Sequence, residues 1–123
     1  MQARTIFTLI LLAVLGCAEA TPSATLGCNI HGLTTDERRE SQALLQKLGG
    51  AVVELKELSD GYAFRLDESK MPLRELSRWI ELERRCCPFF HFETEVAAER
   101  GPVWLRLTGG EGVKDFIATK INS

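Results

Sequence analysis

The side chains in this chain best suited to chemistry are cysteines and histidines, and they fall into two short clusters. The first cluster holds Cys28 and His31, and the second holds Cys86, Cys87 and His91. Thiolate sulfur and imidazole nitrogen bind soft and borderline metal ions, and thiols are also redox-active. We therefore expect any metal or redox chemistry of this protein at these two clusters.

A shared metal site requires the first cluster to fold against the second. Sulfur ligands from Cys28, Cys86 and Cys87 suit soft ions such as Cu(I) or Hg(II). His31 or His91 as a fourth ligand would complete a tetrahedral site suited to Zn(II). The spacing of Cys28 and His31 fits a turn, whereas an extended segment would separate Cys87 from His91 by roughly 13 Å. His91 is thus expected to approach Cys87 only if the residues between them form a turn.

Residues 1–20 have the pattern of a signal peptide. A basic start is followed by an apolar run of about 12 residues, which is too short to span a bilayer comfortably. Val14-Leu15-Gly16-Cys17 resembles a bacterial lipobox, in which Cys17 would be lipidated, and Ala18-Glu19-Ala20 resembles an ordinary signal peptidase site. Both processing routes stay open. Either way we expect an exported protein, in the bacterial periplasm or lipid-anchored to the envelope, with membrane contact only through this leader.

Two other interpretations of the cysteines stay open. Exported proteins meet oxidising conditions, so Cys28 could form a structural disulfide with Cys86 or Cys87 and leave one odd thiol. The chain would then be a structural or protein-interaction domain that holds no ion. Alternatively, Cys86 or Cys87 could be the nucleophile of a thiol enzyme with His91 as its base. No third group that orients the imidazole is evident, so the sequence gives an enzyme little support.

The neighbours of the cysteine pair have opposing effects on it. The pair is predicted at a helix C-terminus, whose partial negative charge disfavours a thiolate, while Arg84 and Arg85 favour one. The sequence does not decide whether the thiols are activated. His91 alternates along the chain with Glu93, so it could also be a surface histidine with a carboxylate partner.

Composition and charge allow one small domain and exclude one class of partner. The chain has 123 residues and a formal net charge of −2, with no basic block, which argues against nucleic-acid binding. Residues 21–27 are small and polar, as expected of a tether, and residues 28–123 are enough for a single modest core. No sequence feature identifies a protein partner.

The first half of the domain predicts a helix followed by a hairpin. The Thr34-x-x-Glu37 capping box opens the helix, which is predicted to end at Gly49-Gly50. Residues 52–58 and 62–66 are the two strands of the hairpin, joined by a turn that contains glycine.

The second half repeats this arrangement and adds a last helix. A helix from Met71 or Pro72 is predicted to end at Cys86, because the residue before Pro88 is pushed out of the helical region. Cys87 would then be the extended residue that starts a strand over residues 90–96. Another strand over residues 103–108 and a helix follow. The predicted order is α-ββ-α-ββ-α, an α+β domain with a mostly antiparallel four-stranded sheet and helices on one face.

Five segments of the chain also form a recognisable pattern. They are Cys28, Leu33-Thr34-Thr35-Asp36-Glu37-Arg38, Asp60-Gly61-Tyr62-Ala63-Phe64-Arg65, Leu82-Glu83-Arg84-Arg85-Cys86-Cys87-Pro88-Phe89-Phe90 and Trp104-Leu105-Arg106-Leu107-Thr108-Gly109. The pattern is similar to a family of small bacterial proteins with no established activity, over about residues 28–121. Its most specific part is the Glu-Arg-x-Cys-Cys-Pro-Phe segment. The resemblance implies a compact stand-alone domain and supplies no activity, cofactor or partner.

Overall fold

The computed structural model describes Asn29 and residues 31–121, which form alternating helices and antiparallel hairpins. The elements are α1 (Thr35–Ala51), β1 (Val52–Leu58), β2 (Gly61–Leu66), α2 (Leu73–Cys86), β3 (His91–Val96), β4 (Val103–Thr108) and α3 (Val113–Ile121). This order confirms the predicted α-ββ-α-ββ-α arrangement and the α+β class. None of the helices in this part of the chain is long and apolar enough to cross a bilayer.

The four strands form one sheet in the order β1-β2-β4-β3, and each neighbouring pair is antiparallel. The two hairpins therefore join through β2 and β4, which lie in the middle of the sheet. Phe64 of β2 faces Leu105 of β4, and Thr94 of β3 also faces Leu105. Strands β1 and β3 are left at the two edges.

One face of the sheet carries the core and the other carries charge. Successive strand residues point to opposite faces, so residues paired across the register share a face. The core includes Leu66, Leu105 and Leu107 from the sheet together with Trp79 of α2 and Ile117 of α3. The opposite face bears charged and amphipathic side chains: Glu54, Lys56, Arg65, Trp104 and Arg106. This arrangement places the helices on one face, as predicted.

Helix α1 begins as predicted and ends later than predicted. Thr34 is its N-cap, and the Thr34–Glu37 capping box is present. The helix continues through both glycines to Ala51, so the prediction that it ends at Gly49-Gly50 is wrong by one or two residues. Ala51 is completely buried in the core, and the chain enters β1 at the next residue. Core packing at Ala51 therefore outweighs the weak helix propensity of the glycines.

Helix α2 ends where the sequence indicates. Cys86 is its last residue, and Cys87 is its C-cap with φ −126° and ψ 77°. Cys87 does not lead directly into a strand, however, because the Phe90 N–H donates to the Cys87 carbonyl oxygen at 3.4 Å and closes a turn. We call residues 87–90 the cysteine turn. Strand β3 begins after it, at His91.

Candidate functional site

The sulfur atoms of Cys86 and Cys87 form the centre of the candidate site. Their Sγ atoms lie 3.8 Å apart, so the two residues are not disulfide-bonded to each other. Cys87 is 3% exposed, whereas Cys86 is partly exposed. The backbone N–H of Cys87 donates to the carbonyl oxygen of Glu83 at 2.7 Å, which fixes the C-cap. The helix end thus holds one accessible and one buried sulfur atom in contact with each other.

A partly buried carboxyl group adjoins the pair. Glu83 lies one helical turn before Cys87, and the two side chains are hydrogen-bonded. Burial raises the pKa of the Glu83 carboxyl group, while the hydrogen bond with Cys87 and the positive charge of Lys120 on α3 act in the opposite direction. The candidate site therefore contains a carboxyl group as well as two thiols.

Aromatic rings hold the cysteine turn against the rest of the domain. The rings of Phe89 and Phe90 pack on Phe116 of α3, with centroid distances of 5.4 and 5.8 Å. Phe90 also makes an edge-to-face contact with Phe92 of β3 at 5.9 Å. Such contacts stabilise beyond the area that they bury. The position of the two sulfur atoms is therefore fixed by the core.

The chain that precedes α1 is attached to the same helix end. The N–H of Asn29 donates to the carbonyl oxygen of Cys86 at 2.6 Å, and the N–H of Gly32 donates to the carbonyl oxygen of Asn29 at 3.0 Å. The side-chain Oδ1 of Asn29 accepts the N–H of His31 at 3.1 Å. We call Asn29, His31 and Gly32 the N-terminal turn. It brings the described part of the first cluster to the end of α2.

A close backbone approach and an ion pair reinforce this attachment. A Cβ atom on Gly32 would overlap the carbonyl oxygen of Arg85, so the N-terminal turn fits against α2 only with glycine there. The guanidinium group of Arg85 donates to both carboxylate oxygens of Glu37, at 2.6 and 3.0 Å. Glu37 Oε1 also accepts the N–H of Thr34. The Arg85 hydrogen bond, followed by that of Thr34, lowers the pKa of Glu37 to about 2.

The surroundings of Cys87 disfavour negative charge on its sulfur. The side chain is buried, lies at a helix C-terminus and touches a carboxyl group, and each of these factors opposes a thiolate. Arg85, one of the two cations that the sequence places next to the pair, is engaged with Glu37. This environment gives no support to Cys87 as an activated nucleophile. The positive charge of a bound metal ion would offset the free-energy cost of forming a thiolate there.

Neither histidine joins the two described sulfur atoms. The side chain of His91 is 65% exposed, and its Nε2 lies 3.1 Å from Glu93 Oε1. His91 and Glu93 share the charged face of the sheet, so His91 has the carboxylate partner that the sequence offered as an alternative. His31 is exposed on the N-terminal turn. The turn between Cys87 and His91 therefore does not direct the imidazole to the thiols.

The described residues do not by themselves complete a metal site. Within Asn29 and residues 31–121, no three histidine, cysteine, aspartate or glutamate side chains are grouped so that they could hold an ion. Cys28, the predicted third sulfur ligand, lies outside the described residues, as does Cys17, the predicted lipidation site. The pair of Cys86 and Cys87 is the part of the predicted ligand set that the structure brings together.

Sequence reasoning missed two features of this site. The contact of Glu83 with Cys87 has a local signal, because residues four apart face each other along a helix. The pairing of Glu37 with Arg85 spans 48 positions and has no signal in a single sequence. It depends on the way in which α1 packs on α2.

Comparisons with known proteins add no assignment to this geometry. No family model, no curated protein and no solved structure matches the chain.

Proposed function

We propose that this chain is an exported domain that binds a soft or borderline metal ion through Cys86, Cys87 and Cys28. The observation that carries the proposal is the 3.8 Å separation of the Cys86 and Cys87 sulfur atoms at the end of α2. In a tetrahedral site with metal–sulfur bonds of about 2.3 Å, two sulfur ligands lie about 3.8 Å apart. The pair thus has the spacing of two thiolates on one ion before any ion is present.

The attachment of the N-terminal turn supports Cys28 as the third ligand. Asn29 is covalently bonded to Cys28, and the N–H of Asn29 is hydrogen-bonded to the carbonyl oxygen of Cys86. Cys28 is therefore the residue next to one that is hydrogen-bonded to Cys86. Three thiolates would favour Cu(I) or Hg(II), and a fourth ligand would favour Zn(II).

Export rests on the pattern of residues 1–20 and does not depend on the metal. An exported chain meets metal ions outside the cytoplasm, either as a soluble periplasmic domain or anchored through a lipid on Cys17. The partial exposure of Cys86 supports access for such an ion. The charge of the ion would stabilise both thiolates in a place that otherwise disfavours them.

A second candidate function uses the same contact. Because the hydrogen bond of Asn29 ties the chain next to Cys28 to Cys86, a disulfide between Cys28 and Cys86 is the favoured alternative. Its formation would remove two electrons and two protons from the thiols, with reduction of a disulfide in a partner oxidoreductase to two thiols. The bond would be structural if it persists and would make the chain a redox protein if it cycles.

Native mass spectrometry separates the two candidates. The purified protein is prepared with and without reductant, exposed to Zn(II), Cu(I) or Hg(II), and weighed with its retained ions. We expect the reduced protein to retain one ion per chain, and Cys28→Ser and Cys86→Ser each to lose it. His91→Asn is the matched control, because His91 is exposed and paired with Glu93, and it should retain the ion.

Two results would contradict metal binding by these sulfur atoms. A reduced protein that retains no ion excludes it, and an ion retained by both serine variants places it elsewhere. If the unreduced protein is also lighter by two hydrogen atoms and Cys28→Ser abolishes that difference, the disulfide candidate replaces the first.

A further inference from the structure

The two edge strands of the sheet differ in what they offer to another chain. Strand β1 is seven residues long, and Val53 and Leu55 are 50% and 45% exposed on it. Among the described residues, only β2 pairs with β1, so its other side presents N–H and C=O groups without a strand partner. An edge of this kind is a template for pairing with a further strand.

The charges on β1 are self-complementary in one register. If two copies of β1 run antiparallel about Leu55, Glu54 of each copy lies opposite Lys56 of the other. Both residues are on the charged face of the sheet, since Glu54 pairs with Arg65 and Lys56 with Ala63 across the register of β1 and β2. Opposite charges directly across two antiparallel strands attract each other. The twofold axis makes this attraction occur twice.

Leu55, at the centre of this register, is also suited to pairing with its copy. Leu55 pairs with Phe64 and so lies on the face that carries the core, but it remains 45% exposed. In the twofold arrangement each Leu55 would lie opposite its copy. The contact would remove from water an apolar side chain that the helices leave uncovered.

Backbone geometry is consistent with pairing at Leu55. The turn Ser59-Asp60 between Leu58 and Gly61 has two residues, and the residues that flank such a turn form a hydrogen-bonded pair. Alternation along β1 then directs the backbone groups of Leu58 and Lys56 toward β2 and those of Leu55 away from it. The outward groups of Leu55 are therefore available to a second copy.

The opposite edge carries like charges at the centre of its strand. In β3, Glu93 and Glu95 lie on the charged face, opposite Arg106 and Trp104. An antiparallel pairing of two β3 strands about Thr94 sets Glu93 of one copy opposite Glu95 of the other. A pairing about either glutamate sets that residue opposite itself. Like charges directly opposite each other are destabilising, so charge distinguishes the two edges.

We propose that β1 is a homodimer interface, at which two copies pair antiparallel about Leu55 and join their sheets into one of eight strands. In the single chain, Glu54 Oε1 contacts Arg65 and the Lys56 ammonium lies 4.7 Å from the centroid of the Trp104 ring. Both side chains remain exposed enough to turn toward the edge. The proposed interface uses none of the cysteines and does not depend on the proposed metal.

Charge reversal tests both the interface and its register. Sedimentation velocity over a concentration series, with reductant and a chelator present, measures dimerisation without disulfide or metal cross-links. Glu54→Lys and Lys56→Glu should each weaken the dimer by about tenfold or more, because each places like charges opposite each other twice. A mixture of the two variants should form heterodimers. The double variant Glu54→Lys/Lys56→Glu should dimerise more tightly than either single variant, although it loses the contact of Glu54 with Arg65.

The matched control is Glu93→Lys on β3, with the thermal midpoint measured for every variant to confirm folding. It should leave the dimer unchanged, whereas weakening by this variant would indicate pairing of β1 with β3 and overturn the proposal. A protein that is monomeric at every concentration also overturns it, since β1 is then covered by another part of the chain or by nothing. Dimers that do not respond to the charge reversals would place the interface elsewhere.

Discussion

The two cysteine clusters are held in place by different kinds of contact. The cysteine turn is fixed by the core, because Cys87 is buried and Phe89 and Phe90 pack on Phe116. The N-terminal turn is held to the end of α2 by backbone hydrogen bonds and by the close approach of Gly32 to Arg85. The position of the second cluster should therefore change only when the whole domain is destabilised. The first should be separable from α2 while the domain stays folded.

The largest effect should come from the core beneath the cysteine turn. Leu82 lies one turn before Cys86 in α2 and is completely buried. Leu82→Ala should lower the free energy of unfolding by about 2–5 kcal/mol, through lost apolar burial and the cavity that is left. Urea denaturation followed by circular dichroism measures this loss.

Leu45→Ala is the matched control, because Leu45 is 44% exposed on α1. It should change the free energy of unfolding by no more than about 0.5 kcal/mol. Equal losses for the two leucine variants would show that the end of α2 is not fixed by core packing, and the distinction between the two clusters would fail.

A change at the N-terminal turn should affect stability less than Leu82→Ala does, but it should lower the affinity of the candidate site for the ion. In Gly32→Ala the new methyl group would overlap the carbonyl oxygen of Arg85, so the turn must move away from α2. If Cys28 is a ligand, affinity for the ion should fall by about 10–100-fold, the range seen when groups that orient a ligand are lost. Competition titration with a chromophoric chelator measures this affinity.

Gly50→Ala is the matched glycine control. A Cβ atom on Gly50 meets nothing within 4 Å, and the residue lies in a helix. This variant should keep the affinity of the unaltered protein and gain about 0.5–1 kcal/mol of stability. If Gly32→Ala binds the ion as tightly as Gly50→Ala does, the N-terminal turn does not position a ligand.

The parts of the fold that were predictable have local signals. The capping box of Thr34 and Glu37, the proline at position 88 and the alternation in the strands each act within a few residues, and the structure confirms the elements that they predict. The end of α1 was not predictable in this way, because burial of Ala51 against distant residues carries the helix through two glycines. The join of the hairpins through β2 and β4 is equally a long-range result.

In the candidate site, too, the features with local signals were predictable and those that depend on distant residues were not. The contact of Cys86 with Cys87 follows from their adjacency at a helix end that Pro88 marks. The position of His91 depends on how the chain leaves the cysteine turn, and the strand directs it to Glu93. The ion pair of Glu37 and Arg85 depends on the packing of two helices, which local patterns do not encode. Metal binding and export stay predictions of the sequence that the experiments above test.

The smallest effect should come from the ion pair that joins the two helices next to the N-terminal turn. The Arg85 hydrogen bond lowers the pKa of Glu37 from its ordinary 4.5 to about 2 in the folded protein. A carboxyl group with a lowered folded-state pKa stabilises the fold above its unfolded-state pKa, and this contribution is lost as the pH falls through the folded-state value. Glu37→Gln keeps an oxygen that can accept the N–H of Thr34 but cannot form the ion pair. The thermal midpoint of the unaltered protein should therefore exceed that of Glu37→Gln above pH 4.5, and the difference should shrink between pH 4.5 and about 2. A difference that persists unchanged at the acid end would mean that the effect of Glu37→Gln does not come from the ion pair, and the N-terminal turn would then be held by its backbone contacts without help from charge.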